Sequence, residues 1–321
     1  MEESKEEKLL KEVVFCLYYD NDDIRGNIEK SIEVIQNSGV SAKAVFLNDK
    51  EMPEECFPAS LGGTSIYNSD DVLFLTDSAM IASALLEQRA FVIGIMHDYN
   101  QGADFTGLKY VFSDIEDVEF DSYEKAYQRY AHLPWIIMET ERCIIRETTV
   151  EDVDIFYDLY KDPEMTRYME GLFDDPEDEK QYTRDYIDKV YGLLGFGTWT
   201  ILKKDTGEII GRAGFSIRNG FDDIELGFLI GTKYQRQGYA YEVCSAIIQY
   251  GKEVLLFKSL QALVKKENVI SIHLCEKLGF KTATEVDVEE NIYGDNYGNG
   301  IKVPASKAQY GRYLKMLLDL G

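Results

Sequence analysis

Between residues 231 and 241 the chain reads Gly231-Thr-Lys-Tyr-Gln235-Arg236-Gln237-Gly238-Tyr239-Ala240-Tyr241, with an apolar run before it and a helical pattern after it. A loop that hands its chain to a helix through Gly and Ala exposes backbone N–H groups at the positive end of that helix. Such a loop is a ready site for an anion such as a pyrophosphate. A lone Gly-x-Ala is equally compatible with an ordinary surface turn, so the surrounding elements have to decide. Other chemistries lack their residues. The three histidines, His97, His132 and His273, lie far apart, and the five cysteines, Cys16, Cys56, Cys143, Cys244 and Cys275, contain no Cys-x-x-Cys pair. Neither a metal site nor a disulfide framework is expected, and the cysteines read as cytosolic thiols.

The elements that position this loop follow from hydrophobic periodicity. Leading up to it are a strand around Arg142–Glu147, a helix around Val153, Phe156, Tyr157 and Tyr160, and a second helix across Glu177 to Leu194. A hairpin follows, Thr198 to Lys203 and Glu208 to Ile217 around Asp205-Thr206-Gly207, then the run Ile224 to Ile230. After the loop come a helix carrying Val243, Ile247, Gly251 and Val254, a strand Leu260 to Val264, a helix Val269 to Leu278, and two strands near Thr282 to Val288 and Gln309 to Leu318. The first part of the chain alternates strands (13–17, 44–47, 71–75, 91–95, 110–112) with helical patterns, which favours a small parallel α/β sheet. The run Ala131-His-Leu-Pro-Trp135 interrupts the pattern. We therefore divide the chain into residues 1–134, a Rossmann-like parallel α/β domain, and residues 135–321, an α+β domain with a mixed, largely antiparallel sheet.

Composition narrows the partners. The 321 residues carry 34 Lys+Arg against 58 Asp+Glu, a formal charge of −24, and 45% are hydrophobic, so the chain fills cores and is not a disordered acidic tail. No Lys/Arg stripe offers counterion release to nucleic acid. The charged N-terminus and the lack of an apolar run near the roughly 20 residues that span a bilayer predict a soluble, cytoplasmic protein without membrane contact.

From about Arg142 to Leu317 the chain resembles the GNAT acetyltransferase superfamily, in particular its ribosomal-protein-acetyltransferase-like branch. Gln235-Arg236-Gln237-Gly238-Tyr239-Ala240 satisfies the signature Gln/Arg-x-x-Gly-x-Gly/Ala. Glu225-Leu-Gly-Phe228 looks like the strand motif before the loop, and Asn268-x-x-Ser271 with Glu276-Lys277-Leu278-Gly279-Phe280 looks like the later CoA-contacting helix and turn. The resemblance implies an acetyl-CoA-dependent N-acetyltransferase, with no metal, that transfers acetyl to a primary amine of a small molecule or protein by direct attack. It places the pyrophosphate on the amides around Arg236 to Tyr241 and the pantetheine beside the backbone of Phe228, Leu229 and Ile230. Asn268 and Ser271 would meet the far end of the arm, although Asn268 also reads as a helix N-cap.

Acetyl transfer needs a neutral amine, and Glu225 is the candidate base; an alternative role is electrostatic anchoring of a cationic acceptor. The family's usual acid, a Tyr before the Glu-Lys-Leu-Gly-Phe run, is replaced by Cys275, which could donate a proton or simply pack. Trp199, Tyr168, Phe196 and Phe215 are candidates to wall the acceptor side, although aromatics near strands are more often core. The acidic stretch Glu170, Asp174, Asp175, Glu177, Asp178 and Glu179 reads as a solvated lid or helix start that attracts cations. In the first domain, Asp20-Asn21-Asp22 and Thr76-Asp77-Ser78 resemble a degenerate haloacid dehalogenase-like domain, expected to be a ligand-sensing or dimerising module. Two further functions are weighed: a non-catalytic acetyl-CoA sensor, and a bifunctional phosphatase-acetyltransferase. A cationic amine acceptor is the expected partner, and the fold allows a homodimer.

Overall fold

The computed structural model describes residues 9–47, 70–290 and 309–321, and the chain separates into two compact units, Met1–Leu133 and Pro134–Gly321. Cys56 and the N-terminal Met1 to Lys8 lie outside the described residues. Among those that are described, no helix is long and apolar enough to cross a membrane.

The first unit is built on five strands, β1 (Glu12–Leu17), β2 (Ser41–Phe46), β3 (Val72–Thr76), β4 (Phe91–Ile95) and β5 (Tyr110–Phe112), in the order β2-β1-β3-β4-β5. Every pairing is parallel. Helix α1 (Asp22–Asn37) joins β1 to β2, α2 (Ala79–Glu87) joins β3 to β4, and α3 (Phe120–Tyr130) follows β5. Such a sheet is covered on both faces, which is why Val13 to Leu17 are all buried instead of alternating. One face packs Val13, Phe15 and Leu17 with α1 and α3, and the other packs Val14 and Cys16 with α2.

The second unit holds eight strands in the order β12-β13-β11-β10-β9-β8-β7-β6. They are β6 (Ile136–Glu139), β7 (Cys143–Arg146), β8 (Thr198–Lys203), β9 (Ile209–Ser216), β10 (Ile224–Ile230), β11 (Ser259–Lys265), β12 (Lys281–Glu290) and β13 (Gln309–Asp319). All neighbours are antiparallel except β10 and β11. Helices α4 (Asp152–Tyr160), α5 (Pro163–Thr166) and α6 (Pro176–Tyr186) precede β8; α7 (Tyr239–Glu253) and α8 (Val269–Lys277) flank β11. The helix expected across Glu177 to Leu194 is present, its middle taken up by a π turn at Ile187–Tyr191.

Strand alternation divides the second unit into two faces. Leu226, Phe215, Trp199, Leu260, Ala262 and Met316 enter the core with Val243, Cys244 and Ile247 of α7. The opposite face receives Glu225, Gly227 and Leu229 from β10, their register partners Ser216, Gly214 and Arg212 from β9, and Gln261 from β11. The candidate acceptor aromatics fall on the wrong side of this division. Trp199 and Phe215 are fully buried in the core, with Phe196 nearly so, and edge-to-face contacts tie Phe215 to Trp199, Phe196 and Phe257. Tyr168 is half-buried beneath the Arg167 guanidinium instead.

Candidate functional site

The parallel pair β10 and β11 is joined at only two rungs, Ile224 with Leu260 and Glu225 with Gln261. Beyond Glu225 the strands separate: β10 stays in register with β9 to Ile230, and β11 stays in register with β13 to Lys265. The separation leaves a slot flanked by backbone groups that have no strand to pair with. Because Gly231 N donates to Ile210 O at 2.9 Å, antiparallel alternation turns the amides of Leu229, Gly227 and Glu225 toward β9, and those of Phe228 and Ile230 toward the slot. Leu229 is therefore corrected: its backbone serves the sheet, and its side chain is buried on the face opposite the α7 core. Ile230 O is already taken by Gln235 Nε2 at 2.9 Å, so Gln235 shapes the mouth of the slot rather than presenting a free amide.

The loop closes over one end of this slot. After the single turn Thr232–Tyr234, Arg236 adopts φ +59° and Gly238 φ +85°. That left-handed bend suits glycine, which pays no Cβ penalty there. Gly238 is the N-cap of the 15-residue helix α7 and offers no side-chain cap. The first helical bond runs from Glu242 N to Gly238 O, so the amides of Tyr239, Ala240 and Tyr241 are without intrahelical acceptors. Arg236, Gln237 and Gly238 are exposed, and Gln237 Nε2 donates to Lys233 O at 3.0 Å. Cations gather here despite the acidic chain: Lys277 of α8 lies 4.1 Å above the Tyr241 ring, and the Arg142 guanidinium lies 4.2 Å above Tyr239. Arg142 also grips Glu242 at 2.6 Å and Gln237 O at 3.0 Å, fixing the start of α7 to the turn between β6 and β7. Burial pushes Glu242 up, but hydrogen bonds from Thr140 and Arg142 outweigh it and hold the carboxyl below its usual range.

At the other end of the slot stands Glu225. Its side chain is half-buried, yet Oε2 is cut off from solvent without a hydrogen-bond partner among the described residues. Burial raises its pKa above the ordinary 4.5, with Arg218 pulling weakly the other way. Two residues on along the same face, a Cβ added at Gly227 would meet nothing within 4 Å. There is room beside the Glu225 carboxyl for a substrate group. Further along this face the Arg212 guanidinium lies 4.6 Å from the Phe156 ring, with Nε buried and unpartnered. Its charge acts on Glu179, which is itself buried and accepts from Phe173 N at 3.2 Å. Glu179 therefore departs from the solvated acidic lid expected for 170–179: one of its carboxylates is folded inward. Asp175 is the N-cap of α6 and accepts from Glu177 N.

Cys275 does not belong to this site. It is fully buried in the core close to Cys244, and burial pushes its thiol up to about 12. A proton donor to a leaving sulfur must reach it, and this thiol is sealed from the slot, so Cys275 packs. Asn268 caps α8, accepting from Ser271 N at 3.2 Å, which commits one end of its amide to the fold. Gln261, Gly227 and Arg212 were missed by motif reasoning, because only strand register shows that they share a face with Glu225.

In the first unit the phosphatase arrangement is not assembled. Asp20 is held by both arms of Arg25 at 2.6 and 2.8 Å, Asn21 caps α1, and Asp22 opens that helix. Asp77 is buried and accepts from Tyr18 N at 2.7 Å and Tyr19 N at 3.2 Å, with His97 Nε2 at 3.3 Å. These contacts tie the ends of β1, β3 and β4 together. Among the described residues no cluster of His, Cys, Asp and Glu could hold a metal ion.

Residues 142–281 match the acetyltransferase (GNAT) domain family. An uncharacterized N-acetyltransferase of Bacillus licheniformis, p20, is 32% identical over 148 residues, which cover 44% of this chain and 80% of that protein. The chain belongs to the GNAT acetyltransferase family. The GNAT domain is also similar to the spermidine N(1)-acetyltransferase of Escherichia coli (strain K12), 35% identical over 86 residues, covering 27% of this chain and 46% of that one. Among solved structures, a putative ribosomal-protein-serine acetyltransferase from Vibrio cholerae is 17% identical, with 58% of this chain and 97% of that chain covered and a TM-score of 0.44. Within the GNAT domain, the family match contains the split strand pair, Glu225, the loop and α8.

Proposed function

We propose that the second unit acetylates a primary amine of cationic character, using acetyl-CoA as donor. The observation that carries this reading is the parting of β10 and β11 directly beyond Glu225, with the uncapped start of α7 at the far end of the slot. The free amides of Tyr239, Ala240 and Tyr241 suit a pyrophosphate, and the inward-facing backbone of Phe228 and Ile230 suits an extended arm added as a strand. The cations Arg142, Arg236 and Lys277 offset the repulsion that a chain of charge −24 exerts on an anionic donor. Acetyl-CoA supplies the activated acyl group as a thioester.

Glu225 takes a proton from the bound ammonium. The freed nitrogen lone pair forms the C–N bond as the C–S bond breaks, its electrons leaving on sulfur; the acylated nitrogen then sheds its second proton to water, the thiolate takes a proton from water, and Glu225 releases its own to solvent. Burial raises the Glu225 pKa above the ordinary carboxylate value, which makes it a stronger base than an exposed glutamate. A cationic acceptor fits the acidic surroundings, and the spermidine-acetylating relative supports the same class. Isothermal titration of acetyl-CoA into the wild type and Gly238→Glu tests the donor site, with melting curves to confirm that the variant folds. Thiol release with spermidine and an alanine-initiated peptide in the same samples tests transfer. Binding lost in a folded Gly238→Glu, with amine-dependent release by the wild type, is the expected outcome. Undiminished binding by Gly238→Glu, or no release with any amine, would overturn the reading.

A further inference from the structure

Three polar atoms at the last rung joining β10 to β11 have no hydrogen-bond partner among the described residues: Glu225 Oε2 and both ends of the Gln261 amide, Oε1 and Nε2. Gln261 is 0% exposed. Neither end of its amide is compensated for its removal from water. An apolar side chain of the same shape would suit the free protein better, so stability does not account for glutamine here. Register places Gln261 beside Glu225 on the sheet face opposite the α7 core, and neighbouring strands stand only about 4.8 Å apart. Gly227, two residues on from Glu225 on the same face, leaves its Cβ position open.

The chemistry of the acceptor supplies what this rung lacks. An ammonium group carries three N–H donors. One of them meets the Glu225 carboxylate and is the proton lost. A second, donated to Gln261 Oε1, survives deprotonation and fixes the direction of the new lone pair. A carboxylate in the place of Gln261 would compete for the proton, and an apolar residue would let the amine rotate. We propose that Gln261 is a positioning residue for the acceptor's amino group, holding the nitrogen while Glu225 removes its proton. The proposal rests on the transferase reading above.

Gln261→Met and Gln261→Glu test it, using acetyl-CoA with whichever of spermidine or the alanine-initiated peptide the wild type turns over faster. Gln261→Met is expected to melt no lower than the wild type, to keep its KM for acetyl-CoA, and to lose about 10- to 100-fold in kcat/KM for the amine. Gln261→Glu sets a second carboxylate beside Glu225 and should move the acidic limb of the kcat/KM profile to higher pH. Full amine activity in Gln261→Met, a melting point several degrees lower, or an unmoved acidic limb in Gln261→Glu would each overturn the positioning role. A wild type that releases no thiol with either amine would overturn the transferase reading itself, and the role with it.

Discussion

Glu225 of β10 and Gln261 of β11 are partners on the second and last rung of a parallel pair whose strands then part. The sheet thus opens at the point where the buried Glu225 Oε2 has no hydrogen-bond partner among the described residues. Carboxylates buried without partners destabilise the state that buries them. Burial raises the Glu225 pKa, so between the ordinary value of 4.5 and the raised one the folded chain binds more protons than the unfolded chain. Stability contributed at this position falls as pH rises through that window. Glu225→Gln should therefore melt higher than the wild type at neutral pH, with a gain that shrinks as pH falls through that window and is gone below about pH 4.5. Differential scanning calorimetry across pH checks this, and a variant less stable at pH 7 would contradict it.

Gly227 should set the room available to the acceptor. Its backbone is ordinary strand and an added Cβ meets nothing, so Gly227→Val should fold with unchanged melting. The branched side chain would fill the space beside Glu225 and raise the KM for the amine by about tenfold or more, leaving acetyl-CoA binding unaltered. Steady-state kinetics with each substrate varied in turn separates the two effects.

Cys275→Ala should leave kcat within about twofold of the wild type, because a sealed thiol in the core cannot be the acid that catalysis needs. Its cost should appear instead as a lower melting temperature, from the small cavity left among packed neighbours. A loss of 100-fold in kcat without a change in melting would restore Cys275 to the mechanism. The four described cysteines are all buried, so they should react slowly with thiol reagents in the native protein.

The Arg142–Glu242 pair should stabilise the start of α7 in a pH-dependent way. Glu242 has a depressed carboxyl pKa, so the stability it brings is present above its ordinary 4.5 and is lost as pH falls through the lowered value. Arg142 is well exposed, so Arg142→Met should cost only about 0.5–1 kcal/mol at pH 7. The difference should vanish once Glu242 is protonated. Chemical denaturation at pH 7 and below pH 4 measures it.

Much of this layout is legible in residue types. The turn at Asp205-Thr206-Gly207 and the apolar run Ile224 to Ile230 locate the hairpin and β10, and Gly238 with Ala240 two places on marks the uncapped helix. What residue types do not carry is parity: a strand's periodicity shows that alternate residues part company without saying which set meets the core. Trp199 and Phe215 are therefore open to either side by residue type and lie in the core, while Gln261 gives no signal at all. Its significance depends on a partner 36 residues away in a pairing two rungs long. Glu179 shows the same limit for charge, since a carboxylate in an acidic run is indistinguishable by composition from its solvated neighbours, yet only this one is folded in toward Arg212.

The most direct measurement is thiol release from acetyl-CoA by wild type and Glu225→Gln, with and without spermidine, in samples shown by titration to bind acetyl-CoA equally. Removing the base should lower amine-dependent release by about 10²- to 10⁴-fold and abolish the acidic limb of the pH profile. Equal rates and the same profile in both proteins would show that the opening of the sheet beside Glu225 is not where the amine reacts.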